Sequence, residues 1–361
     1  MVRRMTMACA VALLFGLVAR PAGAQRSASG AWTFVASGDS RNCGDVVMPG
    51  IAETAKKNHA AFYWHLGDLR AIYAIDEDIL HQPEHLSRPM TMEEYVSIAW
   101  QDFIDSQIKP FGSIPYFVGI GNHELIAPKT RDGFLHQFAD WLDSPALQAQ
   151  RLKDYPDDHL LRTYNHWIDR GVAFYFLDSA SAEQFDGAQI AWFETVLEKD
   201  LANPAIKTIV VGMHKALPES ISAGHSMNES PNGIGSGRRV YADLLRAQND
   251  AHKYVYVLAS HAHFYMDGIF NTDYWRKNGG LLPGWIVGTA GAVRYALPPN
   301  TADAHGALTN VYGSLLGTVQ PSGEINFQFE QMSESDIPAS VTSRYGKDFV
   351  HWCFAENSQA K

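Results

Sequence analysis

The sequence predicts one large α/β domain organised around a largely buried sheet, on three observations. Short runs rich in β-branched and aromatic residues recur along the chain, longer polar or helical segments separate them, and no internal repeat or low-complexity tract interrupts the pattern. A chain of 361 residues, less a short leader, suits one large domain better than two independent ones.

The leader comes first. Arg3 and Arg4 precede an uncharged apolar run from about Met7 to Ala19, and Ala22-Gly23-Ala24 offers a small-residue cleavage site, so residues 1–24 read as a signal peptide. An uncleaved anchor is the competing reading. No later stretch approaches the ~20 apolar residues that a membrane helix requires. The expected mature protein is therefore soluble, has no membrane association after cleavage, and is periplasmic or secreted. Losing three arginines, Arg3, Arg4 and Arg20, and no carboxylate takes the formal charge from −10 to −13. Such acidity argues against a nucleic-acid partner and leaves room for a local basic cleft that draws a small anionic substrate. Of three cysteines, Cys9 leaves with the leader, and Cys43 and Cys353 remain either as a pair or as two separate buried thiols.

The strand candidates are Trp32–Ser37, Ala61–Leu66, Pro115–Ile120, Val172–Leu177, Thr208–Met213, Tyr254–Ala259 and Trp285–Gly288. Ser314–Val319 and Glu324–Phe329 flank Pro321-Ser322-Gly323, which has turn chemistry and predicts a terminal hairpin.

Five of these runs end on chemistry. Trp32–Ser37 leads into Gly38-Asp39, Ala61–Leu66 into Gly67-Asp68, and Pro115–Ile120 into Gly121-Asn122-His123-Glu124. Thr208–Met213 ends at His214, and Tyr254–Ala259 leads through Ser260 to His261-Ala262-His263. Taken singly, a Gly-Asp is a turn or cap and a lone histidine a satisfied structural group. Together they make a metal-site inventory of carboxylates, an amide and imidazoles, and ligands in open α/β sheets bind beyond the carboxyl ends of strands.

In this order the motifs resemble the signature of the calcineurin-like metallophosphoesterases, over nearly the whole mature chain. Asp178-Ser179 followed by Gln189 and Trp192, and the glycine-rich 288–292 segment, agree with it. The resemblance implies a four-layer αββα sandwich of two mixed β-sheets flanked by helices. It implies a catalytic domain over 25–335 with insertions at 71–113, 125–170 and 215–253, followed by a C-terminal extension over 336–361. Asp39 and His263 would ligate one metal, Asn122, His214 and His261 the other, and Asp68 would bridge them. His123 would be the general acid, a prop that orients the ligands being the other reading, and Glu124 a cap or hydrogen-bonding support. Two metal ions, Mn, Fe or Zn, suit these hard and borderline ligands. Ions ~3.5–4 Å apart acidify water while neutralising phosphoryl oxygens. The implied function is hydrolysis of a small phosphomonoester or phosphodiester; a catalytically weakened metal- or anion-binding protein on the same fold is the alternative.

The chain departs from the family pattern at Arg41, where most relatives carry a histidine ligand. A guanidinium has five donors and no lone pair for a metal, so the first metal site is expected to be weak, water-filled or empty. Tyr73 is a weak substitute for the tyrosine that purple acid phosphatases place nearby. Arg41 either grips phosphoryl oxygens as part of the catalytic set or forms a structural salt bridge. Arg70 is a lesser candidate for the same grip, and His225 is expected to be a solvated loop histidine. Oligomeric state is not legible.

Overall fold

The computed structural model describes residues 30–181 and 185–358; the expected leader, 1–24, lies outside them. Among the described residues twelve strands run in order: β1 Trp32–Ser37, β2 Tyr63–His65, β3 Tyr116–Val118, β4 Asn165–Asp169, β5 Val172–Leu177, β6 Thr208–Met213, β7 Tyr254–Ala259, β8 Tyr265–Asp267, β9 Gly284–Val287, β10 Gly306–Leu308, β11 Tyr312–Val319 and β12 Ile325–Met332. With 11 α-helices among the described residues, they build two mixed sheets, one of five strands in the order β12-β11-β1-β2-β3 and one of seven, β10-β8-β9-β7-β6-β5-β4. The α/β sandwich expected from the sequence is thus observed. Among the described residues no helix is long and apolar enough to cross a membrane.

Alternation along each strand explains the layering. On β5, Val172, Phe174 and Phe176 face the core shared with the five-stranded sheet, while Ala173, Tyr175 and Leu177 join a second core. That second core packs against Ile190, Phe193, Val196 and Leu197 of the helix Gly187–Ala202 and Val240, Tyr241 and Leu244 of the helix Pro231–Asn249. Because both faces are covered, β5 and β6 are buried at every position and read as continuous apolar runs. Between the sheets Phe174 meets Phe34 at 5.3 Å and Phe62 at 5.1 Å, both edge to face.

The helices begin where local chemistry dictates. Asp186 accepts from the Gln189 N–H at 2.7 Å, Ser230 caps the following helix with Pro231 in its first turn, and Thr91 and Glu94 form a reciprocal capping box. The hairpin after β11 closes with Gly323 N–H donating to Gln320 O, and Gly323 at φ +99° supplies the left-handed residue.

Three strands escaped the sequence reading. β4 is an edge strand of mixed polarity within the 125–170 segment, and β8 and β10 hold three residues each, too few for periodicity to register. At the C-terminus, Val341, Tyr345, Phe349, Val350 and Cys353 enter the core beside the helix Gly44–Lys57, and Cys43–Cys353 form a disulfide with Cα atoms 6.0 Å apart. The paired-cysteine reading holds.

Candidate metal centre

Five strands deliver their C-terminal ends to one crevice: β1, β2 and β3 from one sheet, β6 and β7 from the other. Backbone bonds lace the loops, with Asp39 N–H donating to Gly67 O at 3.0 Å, Ser40 N–H to Asp68 O at 3.1 Å and Ser260 N–H to His214 O at 2.9 Å. Asp39, Asp68 and His261 sit at φ 60°, 58° and 67°, a left-handed conformation that costs about 1–3 kcal/mol per residue and clusters at functional sites. The preceding glycines allow the approach: a Cβ on Gly121 would stand 2.2 Å from Asp68 Oδ1 and one on Gly67 2.7 Å from Gly121 N.

Glu124 takes the supporting role. Its carboxylate accepts from the N–H groups of Asp68, Leu69 and Gly121 at 3.0, 3.0 and 2.7 Å, binding the β2 and β3 loops together.

His214 organises one half of the centre. Its Nδ1–H donates to the Leu66 carbonyl at 3.0 Å, with the Ser260 hydroxyl also at 3.0 Å, so the ring turns its Nε2 inward. Around that nitrogen stand Asn122 Oδ1 at 3.0 Å, His261 Nδ1 at 3.1 Å and Asp68 Oδ1 at 3.2 Å. Asp68, His214 and His261 each bring a ligand atom within 4.8 Å of the other two. With the Asp68 carboxylate among them, these atoms favour a positive charge at their centre, either a proton on His214 or a metal ion. The field agrees: burial opposes protonation of His214, yet Asp68 and Asp39 outweigh it and lift its pKa to about 9. Burial takes His261 down to about 4. Asp68 Oδ2 is buried without a hydrogen-bond partner. The donor set fits a divalent cation of borderline character.

The other half is built differently. His263 Nδ1–H donates to Val293 O at 2.7 Å, and its bare Nε2 lies 3.2 Å from Asp39 Oδ1. Arg41 fills the gap: its Nη2 donates to His263 Nε2 at 3.1 Å and reaches the Tyr295 hydroxyl at 3.5 Å, while Nη1 donates to the Tyr73 hydroxyl at 3.1 Å. Burial disfavours the Arg41 charge, but Asp68 leads the neighbours that more than restore it, raising its pKa. Burial would likewise raise Asp39, and His263 and His214 reverse this to about 2.

His123 stands at the edge. Its Nδ1–H donates to Ala71 O at 2.6 Å, its backbone N–H donates to Asp68 Oδ1 at 3.0 Å, and its Nε2 lies 3.5 Å from Asp68 Oδ2. Burial, opposed by Asp68, lowers its pKa.

The eight residues given ligand or catalytic roles from the sequence, Asp39, Arg41, Asp68, Asn122, His123, His214, His261 and His263, therefore come together in one cluster. Arg70 does not: fully buried, it forms ion pairs with Asp45 at 2.6 Å and Asp78 at 3.0 Å and also pairs with Asp102, a structural knot away from the crevice. His225 corrects the other way. It is half-buried, stacked on Tyr295 at 5.2 Å and 5.5 Å from the His261 ring. Sequence reasoning missed Tyr295, whose ring stacks on His263 at 4.0 Å, and Glu229, which binds Lys215 Nζ at 2.7 Å and stands 3.7 Å from His261 Nε2. Neither carries a motif; Tyr295 lies in a loop and Glu229 in the short 3-10 turn Met227–Glu229, and the placement of both depends on the fold.

No family model and no curated protein matches the sequence. By structure the chain is similar to a purple acid phosphatase from yellow lupin (Lupinus luteus) seeds, with TM-score 0.56 and 16% identity over 83% of this chain and 51% of that one. It therefore spans about half the length of that phosphatase. It is also similar to PhoD, with TM-score 0.50 and 15% identity over 90% of this chain and 76% of that one. At these identities the likeness is one of fold, shared with these two proteins.

Proposed function

We propose that this protein is a metal-dependent phosphoester hydrolase, acting on a small phosphomonoester or phosphodiester. The observation that carries the reading is the convergence of Asp68 Oδ1, Asn122 Oδ1 and His261 Nδ1 within 3.2 Å of His214 Nε2. These four residues would hold a Mn, Fe or Zn ion, which when bound supplies Lewis acidity toward a phosphoryl oxygen and lowers the pKa of water to near neutrality. Asp39 and His263 stand beside them as further candidate ligands.

The chain's own groups do the rest. His123 keeps its Nδ1–H on the Ala71 carbonyl, so proton traffic runs through Nε2, which faces the crevice beside Asp68. Protonated there, it delivers a proton to the departing alkoxide. Arg41 directs a guanidinium toward the phosphoryl oxygens. Tyr73 and His225 come from the 71–113 and 215–253 segments and form walls that would set ester preference.

The reading includes an exported protein with residues 1–24 removed, destined for the periplasm or the medium, and a catalytic unit over 25–335 supported by the 336–361 extension. Net acidity supports a small substrate rather than nucleic acid.

The test is turnover of an aryl phosphomonoester and an aryl phosphodiester by chelated and Mn²⁺-reconstituted protein. Activity should require metal, and His123→Ala should lose about 10²–10⁴-fold in kcat while metal content stays constant. Metal uptake without turnover of either ester would sink the hydrolase and favour a metal- or anion-binding protein.

A further inference from the structure

We propose that the centre holds a single metal ion, in the Asp68–Asn122–His214–His261 half, and that the Arg41 guanidinium is the built-in cation of the other half. The inference rests on reading the cluster as a metallophosphoesterase centre and departs from the two-metal arrangement that its fold implies.

The two halves pose the same electrostatic problem and solve it differently. Each turns an imidazole Nε2 toward a buried carboxylate oxygen at 3.2 Å, His214 to Asp68 and His263 to Asp39. Around His214, none of the hydrogen bonds or ion pairs of the described residues brings in a lysine or arginine. Around His263, Arg41 Nη2 donates into the very lone pair that would ligate a metal, at 3.1 Å. An ion ligated by an imidazole lies about 2.0–2.1 Å from its nitrogen, which would set it against the guanidinium, charge against charge. Arginine does not deprotonate to make way.

The guanidinium is also held for the purpose. Tyr73 and Tyr295 accept from Nη1 and Nη2 at 3.1 and 3.5 Å, and the Tyr295 ring stacks on His263 at 4.0 Å, fixing both partners. Arg41 is 6% exposed, and its Nε–H has no hydrogen-bond partner. A buried cation fixed in this half suits a phosphoryl oxygen: its planar donors would hold one side of the group while the ion polarises the other.

The test is metal stoichiometry, with Mn²⁺ electron paramagnetic resonance as a second readout. Wild-type protein, chelated and then saturated with Mn²⁺, should carry one ion per chain with the spectrum of an isolated ion. Arg41→His, which replaces the guanidinium by a ligand, should carry two, with an exchange-coupled spectrum, and Arg41→Lys should remain at one. Two ions in the wild type would overturn the proposal, and so would a folded Arg41→His that stays at one. The wild-type count decides even if Arg41→His fails to fold. No ion in the wild type would sink the metal-centre reading itself and this inference with it, whereas one ion without ester turnover would leave the inference standing and sink only the hydrolase.

Discussion

At the residue scale, the candidate centre depends on atoms that are absent as much as on those present. Gly121 has no Cβ, and one there would enter within 2.2 Å of Asp68 Oδ1. Gly121→Ala should push the Asp68 carboxylate out of register with His214 and weaken Mn²⁺ binding about 10–100-fold, as loss of a supporting contact does elsewhere. Isothermal titration of folded variant and wild type with Mn²⁺ checks this; equal affinities would refute it. The Gly-Asp and Gly-Asn-His-Glu spacing was legible in the sequence because short-range chain geometry demands it. Tyr295 and Glu229 were not legible, since a lone tyrosine or glutamate carries no periodic or spacing signal.

At the element scale, the edge strand β4 is held by a buried histidine outside the metal centre. His166 Nδ1 lies 2.8 Å from Asp154 Oδ2 and its Nε2 3.0 Å from Asp200 Oδ2, so one ring joins β4 to the helices Pro145–Asp154 and Gly187–Ala202. Burial lowers its pKa, but the two carboxylates prevail and the net shift is upward. A pKa raised in the folded state means that the charged imidazole favours folding. The contribution is complete below the unfolded value of about 6.5 and is lost as pH rises through the higher folded value. His166→Asn should therefore lower Tm most near pH 6, and its gap to wild type should narrow toward pH 9. A gap that stays constant or widens in thermal melts across that range would contradict this. β4 went unread because NHWID alternates poorly: its histidine is paid for by carboxylates from two helices that no local pattern connects to it.

At the scale of the whole molecule, the chain is closed on itself. Cys43 and Cys353 are 310 residues apart, and Cys43 follows Asp39 and Arg41 in the same loop. The C-terminal segment is tied in further by Tyr345, whose hydroxyl donates to Asp45 at 2.9 Å, and by Arg294, which donates to the Phe354 carbonyl at 2.8 Å. Removing the bond by Cys43→Ser with Cys353→Ser should cost about 2–4 kcal/mol. Urea unfolding of the double variant beside oxidised wild type measures it, and coincident midpoints would show the bond to be idle. The C-terminal helices thus brace the loop that carries Asp39 and Arg41.

The sequence by itself determined the sandwich's principal strands, the order of the ligand-type residues at their ends and the terminal hairpin. All three are written in local periodicity, turn chemistry and short spacings. It also showed that Arg41 cannot ligate a metal, because that follows from the side chain alone. Only the tertiary structure decided where the guanidinium goes. Its partners His263, Tyr73 and Tyr295 lie 222, 32 and 254 residues away. Contacts at such separations are set by how two sheets close on each other and leave no trace in any local window. The same holds for Arg70, which sits near Asp68 in the chain but turns into a buried knot of aspartates. Proximity along the chain names the candidates, and packing selects among them.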